Sequence, residues 1–357
     1  MEMRTDLRNL DQQGLITFVE GLGQPAFRGR QMMPWIYRPG ITRIEEMTDL
    51  AKEFRRILAD HAYISRFEDP IVEQAMDGTI KFGFRLDDGN IIESVLIPEP
   101  DRNTLCISSQ VGCAMHCAFC LTGTMGIIRN LTPAEIVNQV CAARDHLLAE
   151  PAETLIGPRA VTNLVYMGMG EPLNNLDNVL TSLAILTEQK GLDLTGRRIT
   201  VSTCGIVPKM HELGRRSTAN LAVSLHAVDD ETRNKLMPVN RIYPLDALFE
   251  ACRTYPMPKR RRIMFEYLML DGVNDSAAEA RELARRLRSI PCKINLLPYN
   301  NCPDLPYRSS PLEKILAFQK ILMDAHYSVF IRSSRGADIL AACGQLAGER
   351  NPNQRSA

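Results

Sequence analysis

The stretch Cys113-Ala114-Met115-His116-Cys117-Ala118-Phe119-Cys120 sets three cysteines at C-x3-C-x2-C spacing just after a predicted strand. Three thiolates so spaced hold three irons of a cubane 4Fe–4S cluster. Cysteine-only ligation of such clusters normally uses four thiolates, so the fourth iron is left open to a small molecule. With Cys106 added, the run reads C-x6-C-x3-C-x2-C. A four-thiolate structural zinc site normally presents two separated C-x2–4-C pairs, which this spacing does not supply. The motif therefore predicts an iron–sulfur centre.

Outward from this loop, short runs rich in Val and Ile alternate with helical patterns: Thr104–Ser108, Asn163–Gly168, Arg198–Ser202, Leu221–Leu225, Ile263–Leu268 and Lys293–Leu297. The intervening segments carry helix-start signals. Thr132-Pro133-Ala134-Glu135 is a capping box with proline at the first helical position, Ser310-Pro311-Leu312-Glu313 repeats that pattern, and Asp275-Ser276 opens another helix. Six strand–helix alternations predict parallel strands with crossover helices, an α/β fold of partial (βα)6 TIM-like barrel type. Chemistry in such a barrel gathers at the carboxyl ends of the strands. The cysteine loop follows the first of these strands, and Gly168-Met169-Gly170-Glu171-Pro172 follows the second.

The remainder divides by pattern. Residues 1–61 predict a small helical accessory domain, with helices over Asp11–Leu22, Arg28–Ile36 and Glu45–Ala59. Residues 62–98 alternate as an antiparallel β connecting segment with turns at Asp77-Gly78 and Asp88-Gly89. Residues 99–347 form the barrel core, and the polar tail 348–357 reads as disordered.

Composition limits the function classes. The 357 residues carry 42 basic and 42 acidic side chains, so overall charge gives no support for a polyanionic partner. The basic runs Lys259–Arg262 and Arg281, Arg285, Arg286 and Arg288 read as solvated faces. No run approaches the roughly 18 apolar residues of a membrane span, and the start lacks a signal peptide's apolar core. A soluble, cytoplasmic chain without a membrane partner is the expectation. Ten cysteines there argue for metal and redox chemistry rather than a disulfide framework.

The cysteine loop resembles that of the radical S-adenosylmethionine (SAM) enzymes, in which SAM fills the open iron position and is cleaved to a 5′-deoxyadenosyl radical. Three further segments narrow the resemblance: Leu105-Cys106-Ile107-Ser108-Ser109-Gln110-Val111-Gly112-Cys113, Tyr166-Met167-Gly168-Met169-Gly170-Glu171-Pro172 and Asp338-Ile339-Leu340-Ala341-Ala342-Cys343-Gly344-Gln345-Leu346. Together they resemble the RlmN family, which methylates C2 of an adenine in 23S rRNA and in certain tRNAs. The resemblance extends over nearly the whole chain and is densest from Glu93 to Cys343.

That resemblance implies a set of roles. Cys113, Cys117 and Cys120 hold one cluster per chain. Two SAM molecules are used per turnover, one methylating Cys343 by displacement and one supplying the radical that activates the new thioether methyl. The activated carbon joins the adenine, Glu93 takes the C2 proton, and Cys106 attacks the Cys343 sulfur to release product as a Cys106–Cys343 disulfide. Gly170, Glu171, Ser202, Ser224, Leu225, His226 and Asn300 match SAM contacts, and Gly168, Met169 and Gly170 would let backbone approach the ligand. An electron donor such as flavodoxin or ferredoxin and a monomeric state follow from the same resemblance.

Two other readings remain at this point. A Cfr-type enzyme acting at C8 of the same rRNA adenine shares every catalytic cysteine, although Val111, Pro172 and Arg335-Gly336 favour C2. A zinc-stabilised RNA-binding module is the other. Cys141, Cys204, Cys252, Cys292 and Cys302 read as packing residues. Cys204 stands where the family usually has a less reactive residue, and no role is assigned to it.

Overall fold

The computed structural model describes residues 4–151, 155–302 and 305–347. The expected disordered tail 348–357 lies outside the described residues. The chain begins with β1 (Thr5–Asp6) and three helices, α1 (Gln12–Gly21), α2 (Phe27–Ile36) and α3 (Lys52–His61), then β2 (Ala62–Tyr63), which pairs with β1. Strands β3 (Ile71–Gln74), β4 (Ile80–Arg85), β5 (Ile91–Glu99) and β6 (Arg102–Cys106) follow as an antiparallel meander. A small hairpin, β7 (Gln110–Cys113) and β8 (Gly126–Asn130), encloses the cysteine loop and the one-turn helix α4 (Leu121–Thr124).

The alternation then proceeds through α5 (Pro133–Ala149), β9 (Asn163–Tyr166), α6 (Leu176–Thr187), β10 (Ile199–Thr203), α7 (Val207–Arg216) and β11 (Asn220–Ser224). It continues with α8 (Asp230–Leu236), α9 (Leu245–Arg253), β12 (Ile263–Met269), α10 (Ala277–Arg286), β13 (Cys292–Pro298), α11 (Leu312–Asp324) and β14 (Val329–Ile331). The sheet order is β14-β13-β12-β11-β10-β9-β6-β5-β4-β3, parallel from β6 to β14. The six expected parallel strands are all present, and β14 adds a short seventh at the edge.

Thr132 and Ser276 cap α5 and α10 through reciprocal bonds with Glu135 and Glu279. The third expected cap differs. At α11 the capping position falls to Pro311, which has no side-chain acceptor, and the Ser310 hydroxyl is buried without a partner. Residues 62–98 differ from the expectation in their attachment. Strands β3–β5 continue the barrel's own sheet through the β5–β6 pair rather than standing apart from it. The amino-terminal helices join the same core, with Arg8 donating to Asn138 of α5 at 2.6 Å and Asn9 accepting from the Ala134 N–H at 2.9 Å. Arg285 and Arg286 are engaged by Glu282, consistent with a solvated face. Among the described residues no helix is long and apolar enough to cross a membrane.

Candidate active site at the carboxyl ends of the strands

Register assembles the site before any side chain is considered. Val95 of β5 pairs with Cys106, Cys106 with Val165, Val165 with Thr200, Ser202 with Ala222, Ser224 with Glu266 and Glu266 with Asn295. Paired residues share a sheet face, and so do residues two apart on a strand. Glu93, Cys106, Ser202, Ser224, Glu266 and Asn295 therefore lie on one continuous face, with Cys106 and Ser224 at the carboxyl ends of β6 and β11 and Glu266 and Asn295 midway along β12 and β13.

The cysteine loop lies over this face. Its Ala118 N–H bonds the Leu236 carbonyl at 2.9 Å, anchoring it to α8, and Cys120 N–H closes a turn on the Cys117 carbonyl at 3.1 Å. Backbone N–H groups of Met115 and Glu171 reach the Cys113 sulfur, and those of Thr122 and Gly123 reach Cys120. These are the donors a thiolate ligand needs. Without metal, burial raises all three thiols, Cys113 to about 12, with neighbouring cysteine charges adding to the rise at Cys113 and Cys117. Bound iron supplies the positive charge that offsets this penalty. Among the described residues no three His, Cys, Asp or Glu side chains are grouped to share a single ion. A cubane makes a different demand, since each thiolate takes its own iron, and the donor set fits such a cluster.

Cys343 is brought to the same place by six contacts of its segment. The Leu121 N–H bonds the Gly344 carbonyl at 2.8 Å, and the Thr122 hydroxyl bonds the Leu346 carbonyl at 2.5 Å. From the other side, Ala347 N–H donates to Glu93 Oε2 at 2.9 Å and Lys81 Nζ to the Ile339 carbonyl at 2.8 Å. Met76 N–H reaches Asp338 at 3.0 Å and Gly336 N–H reaches Asp77 at 3.1 Å. The antiparallel strands β3–β5 and the β3–β4 turn are thus the seat on which the near-terminal segment docks.

Cys343 is open to solvent, yet protein crowding first and then the charges of Glu266 and Cys120 push its thiol up to about 11. Cys106 is buried, and its thiol is raised by burial and next by the Cys343 charge. Electrostatic coupling thus links two residues far apart in sequence. All ten cysteines are free. Glu93 is nine-tenths buried at its side chain and pairs with Lys81 at 3.5 Å.

The expected SAM contacts form a rim. Ser202 lies in β10, Ser224 ends β11, Leu225 and His226 follow it, and Asn300 lies two residues past β13 with its side-chain oxygen bonded to Ser334. His226 is held at φ 59° and accepts the Leu268 N–H at Nδ1, 3.0 Å, so its proton sits on Nε2. Burial, then the charge of Arg233, lower its pKa to about 3 and keep it neutral. Its ring meets Phe119 of the cysteine loop edge-on at 4.9 Å.

The Gly168–Glu171 turn has a reason of its own. A Cβ at Gly168 would stand 2.7 Å from the Ile107 carbonyl, and one at Gly170, φ 96°, would stand 2.5 Å from Gln110 Cβ. The Met169 carbonyl accepts from both Ser109 and Gln110 N–H. The glycines are thus required already by packing of this turn against the segment from β6 to β7. Glu171 is buried, its carboxylate accepting Leu173 N–H at 2.9 Å and Cys204 N–H at 2.8 Å, and burial raises its pKa.

One residue escaped the sequence reading. Glu266, mid-strand in β12, is a buried carboxyl with Asn295 Nδ2 donating at 2.9 Å, and burial pushes its pKa up to about 7. An acidic residue inside an otherwise apolar run, Ile263–Met269, was the available signal. Cys204 is buried as a packing cysteine would be, but it stands beside Glu171 and within electrostatic reach of Cys117.

Comparison with known proteins matches residues 5–64 to the ribosomal RNA large subunit methyltransferase N-terminal domain and residues 107–284 to the radical SAM superfamily. The chain is 70% identical to the dual-specificity RNA methyltransferase RlmN of Desulfotalea psychrophila, over 98% of this chain and 97% of that one. It is 52% identical to RlmN of Geobacter sulfurreducens, over 98% and 94% respectively. A crystal structure of a radical SAM methyltransferase from Sphaerobacter thermophilus superimposes with TM-score 0.87 at 44% identity, covering 96% of this chain and 99% of that one.

Proposed function

The chain belongs to the RlmN family of radical SAM RNA methyltransferases, and from that premise we propose that it methylates C2 of an adenine in 23S rRNA and in certain tRNAs, carrying the methyl group on Cys343. Cys113, Cys117 and Cys120 would hold one 4Fe–4S cluster, and Gly170, Glu171, Ser202, Ser224, Leu225, His226 and Asn300 would contact SAM. When bound, the cluster supplies one-electron cleavage of SAM to a 5′-deoxyadenosyl radical, with flavodoxin or ferredoxin as electron source.

Cys343 takes a methyl from one SAM by displacement, losing its thiol proton and leaving S-adenosylhomocysteine. Adenine C2 is electron-poor and cannot attack a sulfonium methyl itself, which is why the methyl is first placed on protein sulfur. Joining the Cys343 methyl carbon to C2 takes one hydrogen atom from that methyl, to 5′-deoxyadenosine, and one proton and one electron from the base; Glu93 accepts the proton, and the electron would return to the cluster. Cys106 loses its thiol proton and attacks the Cys343 sulfur, the carbon–sulfur bond breaks, and the departing methylene carbon takes up a proton, so the methylated base leaves as the two cysteines pair; external thiol resets them. The chain acts as a monomer.

The observation that carries this reading is the clamp holding the Cys343 segment to the cysteine loop, Leu121 N–H to Gly344 O at 2.8 Å, with Glu93 bonded to Ala347. Mass spectrometry of rRNA and tRNA digests after reaction tests it. 2-Methyladenosine in both is expected. 8-Methyladenosine would transfer the chain to the C8 reading, and no modified base together with stoichiometric zinc would favour the binding module.

A further inference from the structure

Arg233 is fully buried. It lies on α8, the helix whose last carbonyl, Leu236, receives the Ala118 N–H of that loop at 2.9 Å. Its Nε donates to the Leu225 carbonyl at 3.0 Å, and Nη2 donates to the Cys204 carbonyl at 2.8 Å and the Ser224 carbonyl at 3.0 Å. Nη1 donates to Asn240 Oδ1 at 2.8 Å. These four acceptors are neutral. Asn240 in turn donates to Asp230 at 2.8 Å, so the carboxylate is one side chain removed.

A buried ion without a counter-charge costs several kcal/mol, more than neutral dipoles usually return. Of the three cysteines of the loop, Cys117 lies within electrostatic reach of Arg233, as do Cys204 and Asp230; burial keeps both thiols protonated until metal binds. Three carbonyls from the ends of β10 and β11 need only a donor fork; a neutral glutamine or a pair of asparagines could serve there. A permanent cation is called for when the cysteine loop becomes anionic.

We propose that Arg233 is a positioning residue that ties the carboxyl ends of β10 and β11 into one rim and supplies a buried positive charge beside Cys117 that offsets the charge of the cysteine loop when it holds metal as thiolates. The inference rests on the cluster reading above. Reduction of the cluster adds a further negative charge, and a fixed cation nearby favours the reduced form, since net charge is one of the terms that sets such potentials. The same guanidinium holds the carbonyls of Ser224 and Leu225, so the rim expected to meet SAM and the buried charge beside Cys117 depend on one side chain.

The test compares the full-length parent, Arg233→Gln and Arg233→Lys after anaerobic reconstitution, by iron content, EPR-monitored redox titration and melting of the metal-free chains. Arg233→Gln should take up iron but move the cluster midpoint to more negative potential, so that at the parent's midpoint its reduced fraction falls several-fold below one half. Arg233→Lys should keep the parent's midpoint while its metal-free chain melts lower, because an ammonium cannot span three carbonyls. An unchanged midpoint in Arg233→Gln, or an equal displacement in Arg233→Lys, would make Arg233 a brace only and overturn the proposal. If Arg233→Gln does not fold, Arg233→Met replaces it as the neutral variant: a more negative midpoint supports the charge role and an unchanged one overturns it. A parent chain that takes up no iron would refute the cluster reading instead.

Discussion

The backbone N–H of Leu121 is bonded to the carbonyl of Gly344 at 2.8 Å. Each is the neighbour in sequence of a cysteine with a proposed role, Cys120 and Cys343. One hydrogen bond thus fixes the distance between the cluster loop and the residue that carries the methyl group. The adjoining bond, Thr122 to the Leu346 carbonyl, joins positions 224 apart in the chain.

Gly344 sits at φ 82°, and a Cβ there would lie 3.3 Å from the Phe119 carbonyl. Gly344→Ala should therefore strain the clamp by about 1–2 kcal/mol. The expected outcome is a parent-like iron content with methylation of Cys343 slowed about tenfold, since ~1.4 kcal/mol is a factor of ten. Peptide mass spectrometry of the Cys343 fragment, set against iron analysis, checks it. Loss of iron together with methylation would mean that the loop itself had collapsed.

Cys113→Ala, Cys117→Ala and Cys120→Ala should each abolish the broad visible absorption and the roughly four irons per chain that one cubane carries. Cys106→Ala, Cys204→Ser and Cys343→Ala should retain both. Iron and sulfide assays on anaerobically purified variants distinguish the sets. Retention of a full cluster in Cys117→Ala, or its loss in Cys204→Ser, would reassign the ligands.

Glu266 has a folded pKa of about 7, above the ordinary carboxyl value, because burial disfavours its charge. The sign follows directly: the protonated folded form is favoured below the unfolded pKa, and that advantage is lost as pH rises toward about 7. Relative to Glu266→Gln, which stays neutral, the parent should lose stability between about pH 4 and 7, on the order of 3 kcal/mol. Urea unfolding of the metal-free chains at several pH values measures the difference. A difference independent of pH would show that Glu266 is ionised in the folded chain.

The strands of the barrel were legible because each is a short apolar run bounded by capped helices, as at Thr132 and Ser276. The residues of the site were legible where spacing carries chemistry, in the cysteine loop, or where a motif resembled a known family, at Cys343. What escaped depends on partners distant in sequence. Strand β14 is three residues long and exists through its pairing with β13. The β7–β8 hairpin around the cysteines closes only when Cys113 meets Gly126. Glu266 and Arg233 drew no reading from the sequence, and their burial by neighbouring elements is what brings them to notice. The Gly168–Gly170 turn was read as room for a ligand, while Ile107 and Gln110 already demand those glycines.

The central claim, that Cys343 carries the methyl to RNA and Cys106 releases it, is tested most directly by trapping the joined species. Cys106→Ala, reacted with RNA, SAM and reductant, should accumulate chain covalently attached to RNA through Cys343, resistant to denaturant and lost on nuclease treatment. Fragment mass spectrometry should place the nucleotide on Cys343, and Cys343→Ala and the double variant should form no adduct. Normal turnover by Cys106→Ala with no trapped RNA would contradict the account.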